Sequence, residues 1–336
     1  LRGEEPSEES VNRVNDVPQV FKDWVEMNTE RVKYAQSLPY FILDNAHYVP
    51  KDFIDNVGYY SVKKSPSVVG DVIESLHKLI DPTYIRDKDV KELIMDFAGK
   101  NPALFKYGLG EVKITRAASA DYFMGEFRTC EKASGVYLPK PSTIAIVDKQ
   151  FPMSDGRMFA PLQDLKKAIQ AIKEGRKLEF NEEYALESLW HEIRHAGAKG
   201  WSRANIATKE TRNAMETINQ FCARRSYGQL VTALGGKVRN QAEIIANGYG
   251  YNTSVANLNS ILEYYGVKPQ NLYRYFKDRI QTSYYEEIYE DLAQYLARNI
   301  GLSIDTIKND LLRLALGTHD RRYPMNKDSF RIYLGF

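Results

Sequence analysis

The chain has 336 residues, with 46 Lys and Arg against 44 Asp and Glu, a net charge of +2 that gives no global field for nucleic acid or an anionic membrane. At 43% hydrophobic and 27% charged residues, its composition is that of an ordinary globular protein, long enough for one large domain or two modest ones. Two cysteines, Cys130 and Cys222, exclude a disulfide framework beyond a single bridge, and a reducing compartment is the default.

No apolar run approaches the length of a membrane span. The segment Leu1-Arg2-Gly3-Glu4-Glu5-Pro6 has no apolar core and does not read as a signal peptide. A start at Leu leads us to expect a piece of a longer protein. Residues 1–17 are polar and acidic and read as a disordered linker. An N-terminal helical region, 18–104, follows. Its expected helices run from Val20 to Leu38, from Ser67 to Leu79, and from Asp87 to Phe97 with Asp87 as a cap.

The texture changes after Pro102. Glu111–Ala118, Ala120–Arg128 and Gly135–Val147 carry β-branched and aromatic residues, and Thr143-Ile144-Ala145-Ile146-Val147 is the clearest strand. Thr129–Gly135 reads as the turn between two antiparallel strands. Pro139 and Pro141 predict an edge strand or a kinked one.

From Pro161 onward the pattern is helical. Leu162–Lys173 is amphipathic, and Asn181 is placed to cap a helix through Leu186, Leu189 and Trp190. A long helix is expected from Thr208 to Leu234, stopped by Gly235-Gly236. Further helices are expected over Asn257–Tyr265, Asn271–Asp278, Tyr285–Asn299 and Ile304–Leu316.

The second of these helical stretches ends in His191-Glu192-Ile193-Arg194-His195, an HExxH motif that uses two of the chain's five histidines. Histidines four apart project from nearly one face, since four residues overshoot a turn by only about 40°. Both imidazoles can bind one cation, at about 2.0–2.1 Å for zinc. Glu192 stands where a general base can reach water beside that cation. Read as structure alone, the same residues are a histidine pair on a helix face. A third protein ligand is needed and several are open: His47, His77 and His319, or Glu210 and Glu216 on the next helix. The pattern HExxHxxGxxH is absent, because Ala198 and Trp201 occupy its Gly and third His.

An HExxH helix followed, after about twenty residues, by an acid on the next helix resembles the zincin metallopeptidases of the gluzincin type, over about residues 105–235. That resemblance implies Zn²⁺ held by His191, His195 and Glu216, with Glu192 as general base and a peptide or protein as substrate. Glu216 lies mid-helix beside Met215 and Ile218, where an unpaired carboxylate is costly. Glu210, near the helix start, suits the helix dipole.

The implied fold is α+β and mainly helical. It is zincin-like, with a small antiparallel sheet packed on the HExxH helix within a core at 105–236. A C-terminal helical subdomain, 237–336, floors the cleft. An edge strand around Ile144 is expected to pair with an extended substrate. Tyr227, Tyr249 and Tyr251 are the downstream candidates for a transition-state donor, although packing is the commoner fate of a tyrosine. Arg194 is expected to be exposed and without a chemical role, and Cys222 to be a small buried residue.

A second resemblance concerns Phe21-Lys22-Asp23-Trp24-Val25, Arg31-Val32-Lys33-Tyr34-Ala35 and Pro39-Tyr40-Phe41-Ile42-Leu43-Asp44-Asn45. These are similar to a segment of phage Mu F-like minor head proteins and their prophage relatives in Bacteroidetes. It implies the C-terminal part of a larger phage protein, phage head proteins as partners, and a cytoplasmic or virion-associated location. The expected function is zinc-dependent peptide-bond hydrolysis by an endopeptidase or a self-processing protease. The alternatives are a phage head or prophage structural protein with a non-catalytic zincin-like domain, and a metal-dependent hydrolase acting on something other than peptide.

Overall fold

The computed structural model describes residues 84–133, 136–203, 206–317 and 326–336. The expected linker, the helices over 20–38 and 67–79, the head-protein-like segment and His47, His77 and His319 lie outside the described residues. The chain divides into two compact units, Leu1–Val90 and Lys91–Phe336, and the HExxH motif lies in the second. Helix α1 spans Asp87–Lys100, with Asp87 as its first residue rather than its cap, since the Val90 amide donates to the Arg86 carbonyl.

The apolar run at 143–147 forms β5, Ser142–Val147, and Ile144, Ala145, Ile146 and Val147 are all buried. A strand covered on both faces has no need of polar alternation. It is the middle strand of three: β1 (Leu109–Thr115) runs parallel to it on one side, and β2 (Met124–Phe127) antiparallel on the other. Two expectations are corrected here. The sheet is mixed rather than antiparallel throughout, and Ile144 pairs on both sides and cannot receive a substrate strand. β1 and β2 are the edge strands, and β2 is the one bonded to the motif helix.

Between β2 and β5 the chain makes a separate two-stranded ribbon, β3 (Cys130–Ala133) with β4 (Val136–Pro139). The residues read as a turn at 129–135 are thus mostly a strand. Cys130 and Glu131 are exposed. The short pair β6 (Phe151–Pro152) and β7 (Met158–Phe159) leads into α2 (Pro161–Lys173), which has Pro at its start, where no amide hydrogen is needed.

Helix α3, Phe180–Ala196, carries the motif. Its N-cap is Glu179, not Asn181: the Glu182 carboxylate accepts from the Glu179 amide at 2.8 Å, while the Asn181 amide donates to the Met158 carbonyl. Helix α4, Lys209–Ser226, is capped by Thr208 through the Thr211 amide. The expected single helix to Leu234 is divided: α5, Gly228–Ala233, follows Tyr227 and closes at Gly235, where φ is +85°.

Helices α6 (Gln241–Asn247), α7 (Asn252–Tyr264), α8 (Pro269–Phe276), α9 (Arg279–Thr282) and α10 (Glu287–Ile300) continue the chain. A helical stretch of Ile304–Thr306, π-wound Ile307–Leu312 and Arg313–Ala315 follows. A last helix, α11 (Lys327–Leu334), goes beyond the expected set, although Asn326 at its N-cap and Gly335 at its left-handed end are ordinary signals. The fold class is α+β and mainly helical.

Helix α4 joins the two halves of this unit. Its Met215, Ile218, Phe221 and Cys222 share one core with Leu258 and Ile261 of α7, Phe276 of α8, and Leu292 and Leu296 of α10. Each such aliphatic or aromatic side chain contributes about 1.5–3 kcal/mol on burial. Its other side meets α3. Cys222 is buried and Cys130 exposed, and both are free thiols. Among the described residues no helix is long and apolar enough to cross a membrane.

Candidate metal centre

Every residue of α3 except Asn181 is buried. A helix enclosed on all sides places its polar residues in the interior, where each needs a partner. Most have one. Glu183 accepts the Tyr227 hydroxyl and the Arg239 and Asn240 amides, Trp190 donates to Ser226, and Asn219 of α4 donates to the His191 carbonyl. Arg194, expected at the surface, is 5% exposed and donates to Asn219 and to the Lys277 carbonyl. The difference arises because helical periodicity alone makes α3 look like a surface helix.

His191 and His195 point their Nε2 atoms to one place, 3.0 Å apart. Glu216 Oε2 lies 3.3 Å from the first and 3.2 Å from the second. Four bonds of about 2.0–2.1 Å arranged tetrahedrally space their donor atoms about 3.3–3.4 Å apart. The triangle fits such an ion with only slight adjustment, and a two-nitrogen, one-oxygen set suits zinc. Three donor atoms can thus hold a metal ion here, and among the described residues this is the group of His, Cys, Asp and Glu that can. Glu210 lies outside it, in the first turn of α4.

His195 is held from behind. Its Nδ1 lies 2.9 Å from the hydroxyl of Tyr285, itself packed edge-on against Trp201, the residue in the place of a metzincin's third histidine. A hydrogen on Nδ1 donated to Tyr285 leaves Nε2 with its lone pair for a metal. Burial works against a charged His195, yet the Glu216 carboxylate outweighs it and raises the imidazole pKa. Burial likewise opposes the ionised Glu216, and His195 and His191 overcome it, holding the carboxyl far below the usual carboxylate range.

Glu192 turns the other way, toward the sheet. Its Oε2 accepts the Glu126 amide of edge strand β2 at 2.7 Å. The Glu126 carboxylate accepts the Ser142 hydroxyl at 2.6 Å and pairs with Arg128 at 2.7 Å, and that half-buried Arg128 also donates to the His195 and Ala198 carbonyls. A cation on the C-terminal carbonyls of α3 is well placed against the helix dipole. Together these bonds fix β2 against the motif helix. Burial raises the Glu192 pKa, with the two histidines pulling it back down.

The three candidate tyrosines separate. Tyr227 is buried on Glu183, and Tyr249 donates to Asn181 within an aromatic cluster with Phe159, Phe180 and Tyr184. Tyr251 alone reaches the centre. Its ring stacks on His191 at 5.8 Å between centroids and 15° between planes. Its phenol pKa is raised by desolvation of the hydroxyl end and by the Glu216 and Glu192 carboxylates, although the residue as a whole is 47% exposed.

Tyr251 has φ of +52°, a left-handed conformation uncommon outside glycine. The loop that carries it is clamped rather than loose: buried Arg224 donates to the Ile245, Gly248 and Gly250 carbonyls, and the Gly250 amide donates to Tyr184. Sequence reasoning missed Glu126, Arg128 and Tyr285. The only signal for the first two was a pair of opposite charges two apart on a strand.

Comparison with protein-family models, with curated proteins and with solved structures finds no match for this chain.

Proposed function

We propose that this protein hydrolyses peptide bonds with a zinc ion held by His191, His195 and Glu216. The observation that carries the reading is the donor triangle of 3.0, 3.2 and 3.3 Å with Glu192 beside it, fixed by the edge strand. Zinc, when bound, supplies Lewis-acid polarisation of a carbonyl and brings the pKa of water toward about 7. Glu192 takes the proton of the attacking water and returns it to the leaving amine, as general base and then general acid. Its bond from the Glu126 amide keeps the carboxylate turned toward the sheet side of the cleft. Tyr251, its ring stacked on His191 beside the donor triangle, is the donor placed to meet developing negative charge on the carbonyl oxygen.

The substrate lies along the free edge of β2 rather than along β5. Phe123 turns its carbonyl to the Val147 amide, so Met124 and Glu126 face away from the sheet by strand alternation; the Glu126 amide is taken by Glu192, which leaves the Met124 amide and carbonyl for a substrate. An extended peptide pairs there, beside Glu192. The N-terminal resemblance to phage head proteins adds the expectation that the target is a partner in the same assembly or the chain itself.

Metal analysis of the purified protein beside Glu192→Gln, with casein and the chain itself as substrates, tests the reading. We expect one zinc per chain in both proteins and cleavage by the wild type alone. Absence of stoichiometric zinc overturns the metal site. Zinc without cleavage of either substrate favours the non-catalytic assembly protein.

A further inference from the structure

The two ligand helices meet in layers. Along α3, His195, His191 and Glu187 are spaced four apart, and along α4 Glu216, Gln220 and Arg224 are spaced likewise, so each set lies on one helix face. The first layer is the donor triangle. In the next, the Gln220 amide donates to Glu187 Oε1 at 2.5 Å. Beyond it stands the buried Arg224, clamping the loop that ends at Tyr251.

Glu187 is fully buried, and this carboxylate does nothing in the reaction described above. Its second oxygen, Oε2, has no hydrogen-bond partner. Neither has Nδ1 of His191, which is 4% exposed and one helical turn away. These two unpaired atoms are complementary. A histidine that offers Nε2 to a metal carries its hydrogen on Nδ1, and that hydrogen needs an acceptor. Helix side chains lean toward the N-terminus, which brings the His191 ring over the turn that holds Glu187. His195 has its Nδ1 partner in Tyr285; His191 is the ligand still lacking one.

We propose that Glu187 is a positioning residue for His191, its free carboxylate oxygen accepting the Nδ1 hydrogen through one buried water. The inference rests on the metal-site reading above. Glu187 thereby fixes the tautomer and the ring orientation of one ligand and raises that ligand's basicity. Arg224, in the layer behind, offsets only part of the burial that raises the Glu187 pKa.

The test compares wild type, Glu187→Gln and Glu187→Leu. Zinc affinity is read by competition with a chromophoric chelator, the cobalt-substituted site by its visible spectrum, and the Nδ1 hydrogen of His191 by NMR of ¹⁵N-histidine-labelled, zinc-loaded protein. We expect a downfield, slowly exchanging Nδ1 hydrogen in the wild type. In Glu187→Leu we expect it to be lost, with zinc bound about ten- to a hundredfold more weakly and an altered cobalt spectrum. Glu187→Gln keeps an acceptor oxygen without the charge and should fall between; should the Leu variant fail to fold, the Gln variant decides. A wild type that binds zinc, with Glu187→Gln or Glu187→Leu folded, equally tight and unchanged at His191, overturns this role alone. A wild type that takes up no zinc overturns the metal site, and this role with it.

Discussion

The backbone amide of Glu126 donates to the side chain of Glu192 across 2.7 Å, joining edge strand β2 to the residue after the first motif histidine. A glutamine at 192 keeps an oxygen for that amide but cannot take a proton from water. Glu192→Gln is therefore expected to keep its zinc and its melting temperature while losing about 10²–10⁴-fold in peptide cleavage. Metal content, thermal melting and turnover of a quenched fluorescent peptide check the three parts. Cleavage at the wild-type rate removes Glu192 from the chemistry.

Glu216, not Glu210, faces the histidines. Zinc at about a thousand times its Kd stabilises a protein by about 4 kcal/mol when it binds only the folded state. For a unit of this size that is on the order of 10 °C in Tm. Glu216→Ala is expected to abolish the shift and Glu210→Ala to leave it intact. The opposite ranking in a thermal-shift titration with zinc removes Glu216 as the third ligand.

Tyr251→Phe removes one hydroxyl and leaves the ring stacked on His191. The loss of a single oxyanion donor costs about 10²–10³ in turnover. We expect that loss to fall in kcat with zinc affinity close to wild type. A change confined to KM means that Tyr251 contacts the substrate without meeting the transition state.

Without metal, stability should fall from about pH 5 to pH 8. Burial raises the Glu187 pKa to about 8, and Glu192 is also raised, so the folded state holds protons that the unfolded chain releases. Both groups then oppose folding increasingly as pH rises above about 4.5. His195, raised by Glu216, contributes stability at low pH and loses it as pH rises through its raised value, the same direction. Glu216 runs the other way, its contribution being lost only as pH falls into the acid range. Zinc binds the deprotonated ligands and gains with pH. The gap in Tm between zinc-loaded and chelator-treated protein should widen from pH 5.5 to pH 8. A gap that narrows contradicts the burial assigned to Glu187 and Glu192.

Gly248 and Gly235 offer a contrast in how glycine is used. A Cβ on Gly248 meets the Ile244 carbonyl at 2.8 Å and the Arg224 guanidinium at 3.0 Å, so Gly248→Ala crowds the clamp and should cost about 1–3 kcal/mol. Gly235 has open space but φ of +85°, and its alanine should cost about 1 kcal/mol from backbone strain alone. Urea denaturation separates them, and only Gly248→Ala should also weaken a reaction that uses Tyr251.

Much of the site is legible in the amino-acid order, because its first elements are local. Two histidines four apart meet one point on any α-helix, whatever surrounds them. The strand at 143–147, the helix over 161–173 and the glycine stop at 235 are equally local signals. Sequence and fold diverge where local pattern and tertiary burial part company. Arg194 reads as a surface residue because helical periodicity does not say that α3 is covered on every side. Ile144 reads as part of an edge because β-propensity marks a strand but not its neighbours.

The sequence by itself determined that His191 and His195 share a helix face with Glu192 beside them, since spacing along a helix is a property of the backbone alone. Only the tertiary structure decided which carboxylate stands opposite, which of 23 tyrosines caps the centre, and that the Glu126 amide holds Glu192. Those partners come from 21 to 66 positions away in the chain. Contacts at such separations follow from how helices and strands pack, and local periodicity carries no record of that. The tertiary structure also left His191 Nδ1 and Glu187 Oε2 buried without partners one turn apart, an arrangement visible only once α3 is enclosed.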